Sequence, residues 1–70
     1  MIKRILYDGH PKDDTTKQLV NQHLDTLVKD NETYIIGIDY ATEGYEDHTT
    51  IARYMENKDG TTTLVGIDLL

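Results

Sequence analysis

In this chain of 70 residues, only one stretch carries the spacing of an amphipathic helix, and the rest alternates as strand. Leu19, Val20, Leu24, Leu27 and Val28 recur at helical intervals over residues 14–29, with His23 at the edge of the stripe. Asp13 or Asp14 can accept the orphan N–H groups of the first turn. Asp30-Asn31 is expected to end the helix, because Asn tolerates a left-handed C-cap. A lone helix of this kind must bury its stripe against a sheet, so the chain is held to two layers.

The strands follow from period-two alternation and turn residues. Residues 2–7 read as a short strand, with Ile2, Leu6 and the stem of Arg4 on one face and Lys3, Ile5 and Tyr7 on the other. Residues 33–41 place Tyr34, Ile36, Ile38 and Tyr40 on one face and Ile35, Gly37, Asp39 and Ala41 on the other. A third strand is expected over 49–57, with Ile51 and Met55 opposed to Ala52 and Tyr54. Asn57-Lys58-Asp59-Gly60 reads as a hairpin turn. The last strand spans 61–69, with Thr63, Val65, Ile67 and Leu69 alternating against Thr62, Leu64, Gly66 and Asp68. The expected fold is a single α+β domain over residues 1–70. It is a two-layer β-α-β-β-β arrangement, with one helix on a mainly antiparallel sheet whose last three strands form a meander.

Composition narrows the function. The formal net charge is −6, with thirteen acids against seven bases, which disfavours direct binding to nucleic-acid phosphate. With no Cys, a disulfide scaffold and a thiolate zinc module are excluded. No apolar run has the length of a membrane span, and nothing resembles a secretory leader; the small size and the lack of cysteine set the expectation of a cytoplasmic location. Neither Ser nor Cys is present as a nucleophile, and Asp47-His48-Thr49 is a poor triad because adjacent strand residues point to opposite faces. His10, His23 and His48 lack metal-ligand spacing, so no cofactor or metal is expected. Asp8, Asp13, Asp14, Glu43, Glu46 and Asp47 gather in two loops and form an acidic rim.

Two patterns bear on chemistry. Ile35-Ile36-Gly37-Ile38-Asp39 and Leu64-Val65-Gly66-Ile67-Asp68 share one order of residue types, which places the two glycines on equivalent faces beside the two aspartates and leaves room for close approach. Residues 35–54 also show an aliphatic strand ending in Gly-x-Asp, a short acidic loop, and Asp47-x-Thr49 opening the next strand. This hairpin resembles the first strands of the RNase H-like nuclease found in terminase large subunits of tailed phages, with residues 57–69 as the third strand. The resemblance implies a metal-binding role for Asp39, with Asp47 or Asp68 as the further carboxylate, and a phage or mobile-element origin. The chain departs from that family in placing a helix before the hairpin and in lacking the later acids that two-metal catalysis uses.

Both faces of the expected sheet carry apolar residues, with Ile36, Ile38, Val65 and Ile67 on one and Ile35, Ala52, Tyr54 and Leu64 on the other. One helix covers one face. The second face, rich in aliphatic residues and tyrosine, suits a protein partner or a second copy. Ile35, Tyr40, Tyr45, Tyr54 and Leu64 are the interaction candidates, although Tyr34 and Tyr40 can equally lid the ends of the core. The expected function is a small acidic, non-enzymatic interaction module that forms a homodimer or binds a host protein. The alternative is a metal-dependent nuclease-like fragment using Asp39.

Overall fold

The computed structural model describes residues 1–41 and 48–70. The elements run β1 (Ile2–Asp8), α1 (Asp14–Val28), β2 (Tyr34–Asp39), β3 (Thr50–Glu56) and β4 (Thr62–Leu69). They form one four-stranded sheet in the order β1-β2-β3-β4, with α1 on one face. β1 pairs parallel to β2, and the other two pairs are antiparallel. This is the α+β, two-layer β-α-β-β-β architecture expected from the sequence. The pairings fit the connections: short links close antiparallel neighbours, and a parallel pair needs the helical crossover.

The core lies between α1 and the middle strands. Val20, Leu24 and Leu27 meet Tyr34, Ile36, Ile38 and Ile51, and Ile2, Ile5, Tyr40, Met55 and Leu70 pack against the rim of that cluster. Ile36 and Ile51 are fully buried, and each such side chain contributes about 1.5–3 kcal/mol by leaving water. Leu19 and Val28 were expected in the stripe but are exposed. Positions 20, 24 and 27 span an arc of about 60°, and 19 and 28 fall outside it, by about 80° on one side and about 40° on the other. Two flanking side chains of the helix therefore point away from a flat sheet.

The helix ends differ in how they are closed. Asp13 is the N-cap, its Oδ1 accepting from Thr16 N at 2.7 Å. This bond to the backbone holds the Asp13 carboxyl below its ordinary range. At the other end, no described residue other than glycine has positive φ, so Asn31 is not the expected left-handed cap. Lys29 stays right-handed, and Asp30 N donates to Leu27 O at 3.1 Å. The Met1 amino group donates to Leu27 O, Asp30 O and Glu32 O at 2.9–3.0 Å, placing positive charge where the helix dipole is negative.

Two bulges reset the strand faces. In β1 the register shifts between Ile2 and Arg4, so Ile2 and Ile5 both pack toward the helix while Arg4 and Leu6 face away. The expected grouping of Ile2 with Leu6 is thereby corrected. In β4 the register shifts at Val65, which lies between the Arg53↔Gly66 and Tyr54↔Leu64 pairs. Gly66 and Asp68 consequently face the helix, while Leu64, Ile67 and Leu69 face away. Ile67 was expected on the helix side and is instead exposed on the other. An extra residue inverts the alternation of everything beyond it. The β3–β4 turn forms as expected, with Gly60 at φ 88° and Asn57 N donating to Thr61 O at 2.7 Å.

Candidate interaction surface

On the face away from the helix, the strand registers align side chains into three rows. Arg4, Ile35, Tyr54 and Leu64 form the first, Leu6, Gly37, Ala52 and Ile67 the second, and Asp8, Asp39, Thr50 and Leu69 the third. The middle row has small residues at its centre, so a shallow depression of about 310 Å³ opens between Leu6 and Tyr54. The Tyr54 ring leans over its floor, and a Cβ added to Gly37 would sit 3.6 Å from Tyr54 Cε2. Leu6, Leu64, Ile67 and Leu69 are each about half exposed or more. The face is therefore apolar at its centre and along β4, basic at the Arg4 corner and acidic where Asp8 and Asp39 meet.

The interaction candidates divide. Ile35, Tyr54 and Leu64 are cross-strand neighbours in one row, although Ile35 is itself only 4% exposed and serves as floor rather than anchor. Tyr40 lies on the helix side of the sheet, packed against the core and stacked on Tyr7 with ring centroids 6.3 Å apart. Burial and the adjacent Tyr7 raise its phenol above the ordinary range. Tyr45 lies outside the described residues. Of the acidic rim, Asp13 is taken up as the helix cap, Asp14 is in the first turn and Asp8 closes the open face, while Glu43, Glu46 and Asp47 lie outside the described residues.

The carboxylates named for metal binding do not converge. Asp39 sits at the end of β2 on the open face, paired with Asp8 and Thr50. Asp68 is on the opposite side of the sheet, its Oδ2 2.8 Å from His23 Nε2 and 3.2 Å from Arg53 Nε. Asp47 lies outside the described residues. Among the described residues, no three His or acidic side chains gather as a metal-binding group. The two sequence echoes are likewise not equivalent: Gly37 faces the open side, Gly66 the helix side.

A polar network not foreseen in the sequence fills the space where α1 stops short of β4. His23 reaches Asp68, and the Arg53 guanidinium lies over the Tyr34 ring at 5.8 Å. Tyr34 in turn donates to Asp30 Oδ2 at 2.9 Å, which raises the Tyr34 hydroxyl, while the Glu32 amide and then this Tyr34 bond lower the Asp30 carboxyl. Arg53 Nε is buried near Asp68 but has no hydrogen-bond acceptor in line with its N–H. Gly66 makes this layout feasible, because a Cβ there would collide with the guanidinium, 2.8 Å from Cζ. The available signal was the position of His23 at the edge of the helical stripe.

A second cavity, about 660 Å³, lies on the helix side between the β1–α1 connection and the helix. Its lining includes Tyr7, His10, Lys17, Asn21 and Tyr40. No described helix is long and apolar enough to cross a membrane. No protein-family model, curated protein or solved structure matches the chain.

Proposed function

We propose that this chain is a small non-enzymatic protein-interaction module that docks through the open face of its sheet, either to a second copy or to a host protein. The observation that carries this reading is the set of aliphatic side chains left in water on that face, with Leu6 at 55%, Ile67 at 58% and Leu69 at 64% exposure. In a chain this small, contiguous apolar surface of that kind favours a binding role over solubility. A bacterial or phage-encoded cytoplasmic setting goes with the reading and rests on the resemblance of residues 35–54, the small size and the absence of cysteine.

The test pairs the native chain with a variant carrying Leu6→Lys and Ala52→Lys, two open-face positions outside β4. The native chain is expected to self-associate or to retain a host protein that the variant releases. Equal behaviour of the two chains in both assays would remove the open face as the docking surface.

One observation favours a second reading, a metal-dependent phosphodiesterase of RNase H type. Asp39 has Asp8 as its direct neighbour at the carboxyl ends of the parallel strands. Two carboxylates side by side there would attract Mg²⁺ or Mn²⁺. Millimolar amounts of either ion would then raise the thermal midpoint of the native chain and leave that of the Asp39→Asn variant unchanged. No shift in the native chain would end this reading.

A further inference from the structure

We infer that the partner at the β4 border of the open face is a second copy of this chain, joined by antiparallel pairing of β4 with β4 about the midpoint of Val65 and Gly66. The inference rests on the interaction reading above and gives it a partner and a register.

The first support is that β4 ends the sheet, with β3 as its neighbour. Natural edge strands are commonly guarded by Lys, Pro or outward charge, because unpaired N–H and C=O groups recruit other strands. β4 has no Lys, Arg or Pro over Thr62–Leu69. Its one charged residue, Asp68, is turned to the helix side and engaged by His23. The opposite edge, β1, carries Lys3 and Arg4. β4 is the edge without a basic side chain.

The second support is the order of faces along β4. Thr62, Leu64, Ile67 and Leu69 belong to the open face, whereas Thr63, Gly66 and Asp68 belong to the helix face, with Val65 as the inserted residue. A strand of eight residues in strict alternation has opposite faces at its two ends and cannot pair along its full length with itself reversed. The bulge changes that. Reversed about the Val65–Gly66 midpoint, Thr62 meets Leu69, Thr63 meets Asp68 and Leu64 meets Ile67, with each pair sharing a face. A slip of one residue sets Leu64 against Gly66 and Thr63 against Ile67, which mixes the faces. At the axis, Val65 meets a glycine, so the largest side chain there meets none. Such a contact is isologous and closes as a two-fold dimer.

The consequence is one eight-stranded sheet with both helices on the same side. The row Arg4, Ile35, Tyr54, Leu64 would continue into the second copy's Ile67, Ala52, Gly37 and Leu6, and symmetry would supply the same row again. The two half-exposed aliphatic pairs at Leu64 and Ile67 would be shielded, and no like charges would be brought face to face along the open side.

The native chain contains no cysteine, so single-cysteine variants report the register directly. Light scattering over a concentration series is expected to approach twice the 8.0 kDa chain mass. Val65→Lys, on the exposed edge, should stay at the chain mass with an unchanged circular dichroism spectrum. An equimolar mixture of Leu64→Cys and Ile67→Cys chains should oxidise to a mixed dimer at least tenfold faster than either chain alone. A native chain that keeps its 8.0 kDa mass throughout would overturn the inference while leaving capture of a host protein by the open face open to its own test. A dimer that withstands Val65→Lys and shows no preference for the mixed disulfide would also overturn it, and loss of that dimer in the Leu6→Lys/Ala52→Lys variant would show face-to-face stacking instead.

Discussion

The two faces of this sheet are built from the same kinds of residue and differ in what lies above them. On the helix side, Ile36, Ile38 and Ile51 are closed over by Val20, Leu24 and Leu27. On the open side, Leu6, Leu64 and Ile67 carry comparable side chains into water. Aliphatic content alone therefore does not mark the core of a chain this small. A single 15-residue helix covers about one sheet face, so much of the second apolar face is left to solvent.

The sharpest way to break this comparison is to truncate one residue on each face. Ile36→Ala should cost about 2–5 kcal/mol in urea unfolding, because it removes a fully buried side chain and leaves a cavity. Ile67→Ala should change monomer stability by less than about 0.5 kcal/mol, because that side chain already stands in water. Similar costs at the two sites would mean that the open face is covered within a single chain.

Next in size is the polar layer over β4. Gly66→Ala should cost about 1 kcal/mol, since its methyl group would displace the Arg53 guanidinium from Asp68 and from the Tyr34 ring. The change would be read in urea unfolding together with the Arg53 Nε resonance. Gly37→Ala, on the open side, meets ordinary contact distances and should be nearly neutral. The pair of glycine variants thus separates the crowded face from the vacant one.

These contrasts also show how far the sequence could be read. Element order, the two-layer architecture and the Asn57–Gly60 turn follow from periodicity and turn chemistry, and the meander of the last three strands follows from connection length, whereas the edge that β1 joins does not. The faces of β1 and β4 do not, because a bulge leaves no compositional mark and inverts every residue beyond it. Strict alternation therefore groups Ile2 with Leu6 and sets Ile67 on the helix side, and the bulges undo both. Among the interaction candidates, Ile35 and Tyr54 share the open face as the alternation places them, whereas Tyr40 shares a face with Ile36 and Ile38 and turns toward the core.

A comparable effect is expected at the helix start. Asp13→Ala should destabilise the fold by about 1 kcal/mol through loss of the bond to Thr16 N. The carboxyls of Asp13, Asp30, Glu56 and Asp59 are all held below their ordinary values by hydrogen bonds or by Lys3. Their stabilisation is present above the unfolded values, 3.8 for Asp and 4.5 for Glu, and is lost as pH falls through the lower folded values. The thermal midpoint should therefore hold near neutrality and drop below about pH 4, with a smaller drop in Asp13→Ala. Smallest of all, Lys3→Ala should cost under about 0.5 kcal/mol, since its bond to Glu56 is exposed to solvent. A larger loss there would show that the rim helps hold β1 in place.

The parallel pairing of β1 with β2 has a kinetic consequence. The β2–β3–β4 meander joins neighbours close along the chain, whereas Ile5 meets Ile36 only after the whole helical crossover has been drawn in. Distant contacts incur their loop-closure entropy before they return any stabilisation. Of the four strands, β1 should thus be the last to dock. In refolding experiments, substitutions at Ile5 should chiefly speed unfolding, while those at Ile51 should slow folding. The opposite pattern would place the crossover in the folding nucleus.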